Sequence, residues 1–165
     1  MHIMASLTTP TRGSNQRGQA VIELALTLPL LLLVIFGIID FGFMFQRYES
    51  VTNAAREGAR LGILQSSAGY TAAEAQNRAI SYLQASGLNG TVRACGAAMA
   101  KNSMCAQMTT QTVTVAGSTP AKTVDQVTVI VEYDHEHSFV GPIMNLFGSG
   151  LGTIRLRSAS IMRRE

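Results

Sequence analysis

The chain has no tryptophan, two cysteines, two lysines and four prolines among its 165 residues, and only 14% of it is charged. Soluble globular proteins carry roughly 25% charged residues, so part of this chain is not built to face water. Two cysteines are too few for a disulfide-dense scaffold, and the C-x9-C spacing lacks the paired CxxC of zinc and redox sites. Thirteen basic residues against ten acidic ones, all dispersed, exclude the clustered basic patch that a nucleic-acid partner requires. Twenty Ala and fifteen Gly leave little material for a deep substrate pocket. No GxSxG, Walker loop, dinucleotide fingerprint or HExxH occurs. There is thus no case for an enzyme, a cofactor or a small-molecule substrate. The length excludes a large enzyme and allows one domain plus an accessory segment.

What is present is one concentrated apolar segment. Between Leu24 and Phe45, 17 of 22 residues are hydrophobic. As a helix, Ala20 to Phe45 would reach about 39 Å, enough for a hydrocarbon core of about 30 Å. The apolar stretch is longer than that of a secretory signal peptide and has no small-x-small cleavage site after it, so it reads as a retained anchor. Three residues interrupt it. Pro29 removes a helical N–H and is expected to kink the helix, a defect that membrane helices tolerate. Glu23 and Asp40 stand near the two ends, and Asp40 reads as an acid at the membrane interface. The short N-terminus, with Arg12 and Arg17 and no acid, is placed in the cytoplasm and the C-terminal part outside.

The helix is expected to continue to about Leu64, because only Gly58 interrupts good helix formers. Ala54, Gly58 and Gly62 recur every four residues, as do Ala55 and Ala59. Small residues at that spacing admit a second backbone closely, either from the protein's own domain or from another subunit. A second helix is predicted from Thr71 to Ala85, with Thr71 and Glu74 at capping-box spacing and Gly87 as its stop. The period then changes to two. Thr91–Cys95, Thr112–Val115, Val124–Tyr133 and Gly152–Met162 read as strands. Ser138 to Leu151 reads as an apolar loop that caps the core, or else lies against a membrane or a partner. The predicted architecture is α+β: a long N-terminal transmembrane helix, a second helix and a small antiparallel sheet.

Two clusters invite chemistry. Cys95 and Cys105 read either as a disulfide closing a short extracytoplasmic loop or as two free thiols. Tyr133-Asp134-His135-Glu136-His137 puts two histidines on one side of a strand, but a metal site needs a third ligand and none is evident. A solvent-exposed strand end is the better reading, with no metal.

The string RGQAVIELALTLPLLLLVIFGIIDFGFMFQRYESVTNAAREGARLG resembles the N-terminal region of the TadE-like (TadE/TadG) pilin-like proteins of the tight-adherence (Tad), or Flp, pilus system. The resemblance rests on the basic leader ending in Gly18, on Glu23 five residues later and on the Leu-rich span with Pro29. Asp40-Phe41-Gly42, the run Asn53 to Arg60 and the tail SASIMRRE add to it. It implies cutting by a prepilin peptidase between Gly18 and Gln19, which removes residues 1–18. Residues 19–46 would span the cytoplasmic membrane and 47–165 would form the extracytoplasmic domain. It also implies a role as a minor pilin or pseudopilin, with other Tad/Flp pilins and inner-membrane assembly proteins as partners. Glu23, at the fifth mature position, would pair with a neighbour's N-terminal ammonium. Leu24 stands where major Flp pilins carry Tyr, which argues against the major pilin. The alternative is a bitopic envelope protein whose external domain binds a partner, without processing or a pilus role.

Overall fold

The structure is a computed structural model that describes residues 16–64, 71–117, 120, 122–148 and 152–164. The chain divides into two compact units, Met1–Phe36 and Gly37–Glu165. Helix α1, Gln16–Ile63, supplies the described part of the first unit and continues into the second.

In the first unit the helix is continuous through Pro29. Proline has no N–H for the carbonyl four residues back, so that bond is missing. The Thr27 hydroxyl donates to the Glu23 carbonyl oxygen at 2.9 Å, a back-bond within the same turn. Val21, Ile22, Leu24, Leu26 and Leu30 are all more than half exposed.

The second unit contains the rest of α1, then α2 (Ala72–Ala85), β1 (Thr91–Val92), β2 (Ser103–Thr114), β3 (Thr123–Glu136), α3 (Gly141–Phe147) and β4 (Thr153–Arg164). Helix α2 begins with a complete capping box. The Thr71 hydroxyl accepts from the Glu74 N–H, and the Glu74 carboxylate accepts from the Thr71 N–H at 2.6 Å. The sheet has the order β1-β2-β3-β4, antiparallel from β2 to β4. The fold is α+β, as the alternation of periods implies.

Three details depart from the sequence expectation. The sheet is mixed, because β1 is only two residues long and runs parallel to β2. Strand β2 starts at Ser103, nine residues before the predicted Thr112; its inner positions are Met104, Ala106 and Met108, which lack the β-branching that marks a strand. The stretch expected as a loop from Ser138 contains α3.

One face of the sheet carries the core. Val127, Val129, Val131 and Tyr133 of β3, Met104 and Met108 of β2 and Leu156 of β4 form one cluster with two helical stripes. The stripes are Val51, Ala54, Ala55 and Ala59 of α1 and Ala75, Ala79 and Leu83 of α2. Small residues bring the helices close. A Cβ added to Gly58 would lie 3.1 Å from the Ala75 carbonyl oxygen and from the Ala79 Cβ, and 3.2 Å from Val129 Cγ1. One added to Gly62 would lie 2.9 Å from Val127 Cγ1. Gly62 therefore faces Val127 and Gly58 faces Val129, so β3 runs antiparallel to α1.

Candidate functional site

The apolar run of α1 is the first functional feature. It is the one helix among the described residues long and apolar enough to cross a membrane, and its most apolar window is entirely unburied. Gly18 and Gln19 lie in the first turns of α1, and Glu23 is exposed. Among the described residues, and apart from its own helix, nothing lies within 4 Å of where a Gly18 Cβ would be.

Where α1 enters the second unit, a belt of polar groups begins. Asp40 is 1% exposed. Its carboxylate accepts from the backbone N–H groups of Ser138 at 3.2 Å, Phe139 at 3.0 Å and Val140 at 2.7 Å. Three successive N–H donors satisfy a carboxylate that water does not reach. Two turns further along α1, Arg47 Nη1 lies 2.5 Å from His135 Nδ1. The guanidinium can only donate, so Nδ1 accepts and Nε2 carries the proton. Burial first, then the Arg47 charge, push the His135 pKa from 6.5 down to about 4, so the ring is neutral at physiological pH. Its Nε2 is buried without a hydrogen-bond partner among the described residues. The His137 ring lies edge-on at 5.1 Å from His135, and Phe41 at 6.4 Å from His137.

The expected exposed strand end is therefore a buried one. Asp134 is fully buried, and Glu132 and His135 nearly so. Pleat alternation sends them to opposite faces of β3: His135 towards α1, Glu132 and Asp134 to the outer face. There Arg155 grips Asp134 with Nε at 2.8 Å and Nη2 at 3.1 Å. Arg93 Nη2 bridges Asp134 at 3.1 Å and Glu132 at 3.2 Å. Burial by itself would raise the Asp134 pKa. The hydrogen bonds from Arg155, the Ala100 N–H and the Ser103 hydroxyl, with the Arg93 charge, outweigh it and hold the carboxyl below its ordinary value.

The segment between β1 and β2 folds over these acids. The Gly96 N–H donates to Glu132, the Ala100 N–H donates to Asp134, and the Ala97 carbonyl accepts from Arg155 at 2.7 Å. Cys95 and Cys105 are joined as a disulfide, with Cα atoms 5.3 Å apart, which ties this segment to β2. The chain-entropy model gives such a short loop about 3 kcal/mol. Cys95, Cys105 and Glu132 form the one cluster of three ligand-type side chains among the described residues, and the disulfide occupies both sulfurs. At the histidine pair, the Arg47 guanidinium occupies His135 Nδ1 and its charge opposes a further cation beside the ring. An open cleft of about 360 Å³ is lined by Arg47, Asn102, Glu136, His137, Ser138 and Pro142.

Of the predicted packing residues, Ala54, Ala55 and Ala59 are fully buried within the protein's own domain, and Gly58 and Gly62 meet α2 and the sheet. The Asp40 contacts and the Arg93–Asp134–Arg155 network lay outside the sequence reading. The second left a trace: Glu132 and Asp134 alternate on one strand, and Arg155 and Arg157 alternate on the strand it pairs with.

Residues 18–60 match the family model described as TadE-like protein. The chain carries a TadE-like segment. It begins at Gly18, contains Glu23, Pro29, Asp40 and the Ala54–Ala59 stripe, and ends inside α1. The TadE-like family points to a Tad pilus-associated membrane protein with an N-terminal apolar helix. No curated protein and no solved structure matches the chain. The helices and sheet after the TadE-like segment are therefore read from their own geometry.

Proposed function

We propose that this protein is a membrane-anchored, pilin-like component of Tad/Flp pilus assembly and secretion, in the role of a minor pilin or pseudopilin. The observation that carries the reading is the coincidence of the TadE-like match, residues 18–60, with a helix whose most apolar window is unburied. Residues 1–18 would be a cytoplasmic leader removed by a prepilin peptidase. Residues 19–46 would span the cytoplasmic membrane, and 47–165 would form the domain on its outer side. The disulfide supports that side, since such bonds persist in oxidising compartments.

Processing is tested by intact-mass analysis of the membrane-extracted protein. The expected species lacks residues 1–18; a chain retaining them in cells with an active prepilin peptidase would overturn the reading. Glu23 would act after processing. An exposed carboxylate carried into an apolar assembly needs a cationic partner, and the new N-terminal ammonium of a neighbouring subunit supplies one. The Glu23→Ala protein is expected to be cleaved but to fail in assembly with other Tad/Flp components. Normal assembly would remove Glu23 from this role. Because Ala54, Ala55 and Ala59 are consumed inside the domain, neighbours would contact another face of α1, the one bearing Glu49, Asn53 and Arg56.

A further inference from the structure

The connection between β3 and β4 lies at a determined end of the second unit. Strand β3 passes Gly62 at Val127, Gly58 at Val129 and Arg47 at His135. Continuing in that direction, the chain reaches Asp40 at residues 138–140 and turns there into α3. The excursion is thus attached to α1 three residues past Gly37, at the end where the apolar run arrives. It is closed on itself: the His137 N–H donates to the Gly152 carbonyl oxygen at 3.0 Å, and the Gly152 N–H donates to Asn145 Oδ1 at 3.3 Å.

Its composition suits neither a core nor open water. No residue from Ser138 to Ile154 is charged. Phe139 and Ile143 are each 45% exposed, although the Phe139 N–H is held by the Asp40 carboxylate. On α1, Phe41 next to Asp40 is also exposed, and its ring lies 6.4 Å from that of His137. Isolated exposed apolar residues are ordinary, but a cluster at one end is not. Apolar side chains on a short uncharged element fit the boundary between lipid headgroups and acyl chains.

We propose that the β3–β4 excursion is a membrane-seating foot. Phe139 and Ile143 insert into the bilayer interface, and the Asp40 carboxylate is the clasp that holds the foot against α1. The occupant is the lipid surface, because the foot is held at Asp40, inside the apolar stretch of α1 that the proposed span of residues 19–46 includes. This rests on the anchor reading. The clasp also explains why an acid stands in an apolar helix: its oxygens are satisfied by backbone donors that arrive from 98 to 100 residues away.

The absence of tryptophan makes the test direct. Single-tryptophan variants Phe139→Trp and Ile143→Trp of the full chain are reconstituted in phosphatidylcholine–phosphatidylglycerol vesicles. Quenching is read with lipids brominated at defined depths. Thr109→Trp on the outer face of the sheet is the water-side reference, and Ile35→Trp is the anchor reference. The expected result is quenching of both foot variants by shallow bromines, at least about threefold above Thr109→Trp. Quenching of Ile35→Trp alone would overturn the foot and leave the anchor standing. An unquenched but blue-shifted foot would assign the surface to a protein partner and overturn it as well. If Ile35→Trp is also unquenched, the anchor reading falls with it. Adding Asp40→Asn to Ile143→Trp is expected to reduce shallow quenching while Ile35→Trp keeps its own. Unchanged quenching at residue 143 would overturn the clasp.

Discussion

Two buried polar residues on α1 and β3 show how a single side chain acquires its meaning from a distant one. Asp40 is an acid in an apolar run, costly unless its oxygens are satisfied, and three backbone N–H groups satisfy them. His135 is a base kept neutral by burial and by Arg47, with His137 also opposing its charge and Asp40 and Glu136 favouring it. A histidine whose pKa falls on folding binds its proton more readily in the unfolded chain. Its contribution is therefore complete above about pH 6.5 and is lost as pH falls towards 4. The interval corresponds to at most about 3 kcal/mol. The thermal midpoint of the detergent-solubilised protein should fall between pH 6.5 and 4.5, and the fall should be smaller in His135→Gln. Equal pH slopes in the two proteins would contradict this assignment.

At the scale of elements, the contact between α1, α2 and the sheet is set by the absence of side chains. Gly58 has the Ala75 backbone carbonyl oxygen and Val129 Cγ1 within 3.2 Å of where its Cβ would be. The backbone oxygen cannot rotate away, so the helices would have to separate. Gly58→Ala should cost about 1–2 kcal/mol and Gly58→Leu about 3 kcal/mol or more, read as graded losses of thermal midpoint. A leucine tolerated without loss would mean that α2 does not pack there. The elements themselves were largely legible. The end of α1, the capping box of α2, and strands β3 and β4 follow from period, cap and breaker residues. Strand β2 did not, because a Met-Ala-Met inner face carries hydrophobicity without strand propensity. Helix α3 was hidden for another reason: seven residues of Gly, Pro and apolar side chains are too few to establish a helical period.

For the whole molecule, the exposed apolar helix and the domain answer to different solvents. The domain is built from alanine-rich helices on a four-stranded sheet, with a disulfide and an arginine–carboxylate network closing the sheet's other face over residues 93–101. The intact mass is the prediction at this scale, because the proposed removal of residues 1–18 would leave a chain of residues 19–165 that keeps the apolar helix.

The low charge content, the missing tryptophan and the single apolar run were fixed by the sequence, as were helix and strand periods, because each is a local or summed property of side chains. From them the anchor, the α+β class and the TadE-like resemblance could be read. Only the tertiary structure decided what Asp40 binds, that His135 is neutralised beside Arg47 and that the Ala and Gly stripe is filled from within. It also decided that the acids of β3 are buried under a tied loop. These pairings join residues as much as 100 positions apart. A hydropathy period records which face is covered; the identity of the covering group is set by strand register and helix direction, which exist only once the chain has folded.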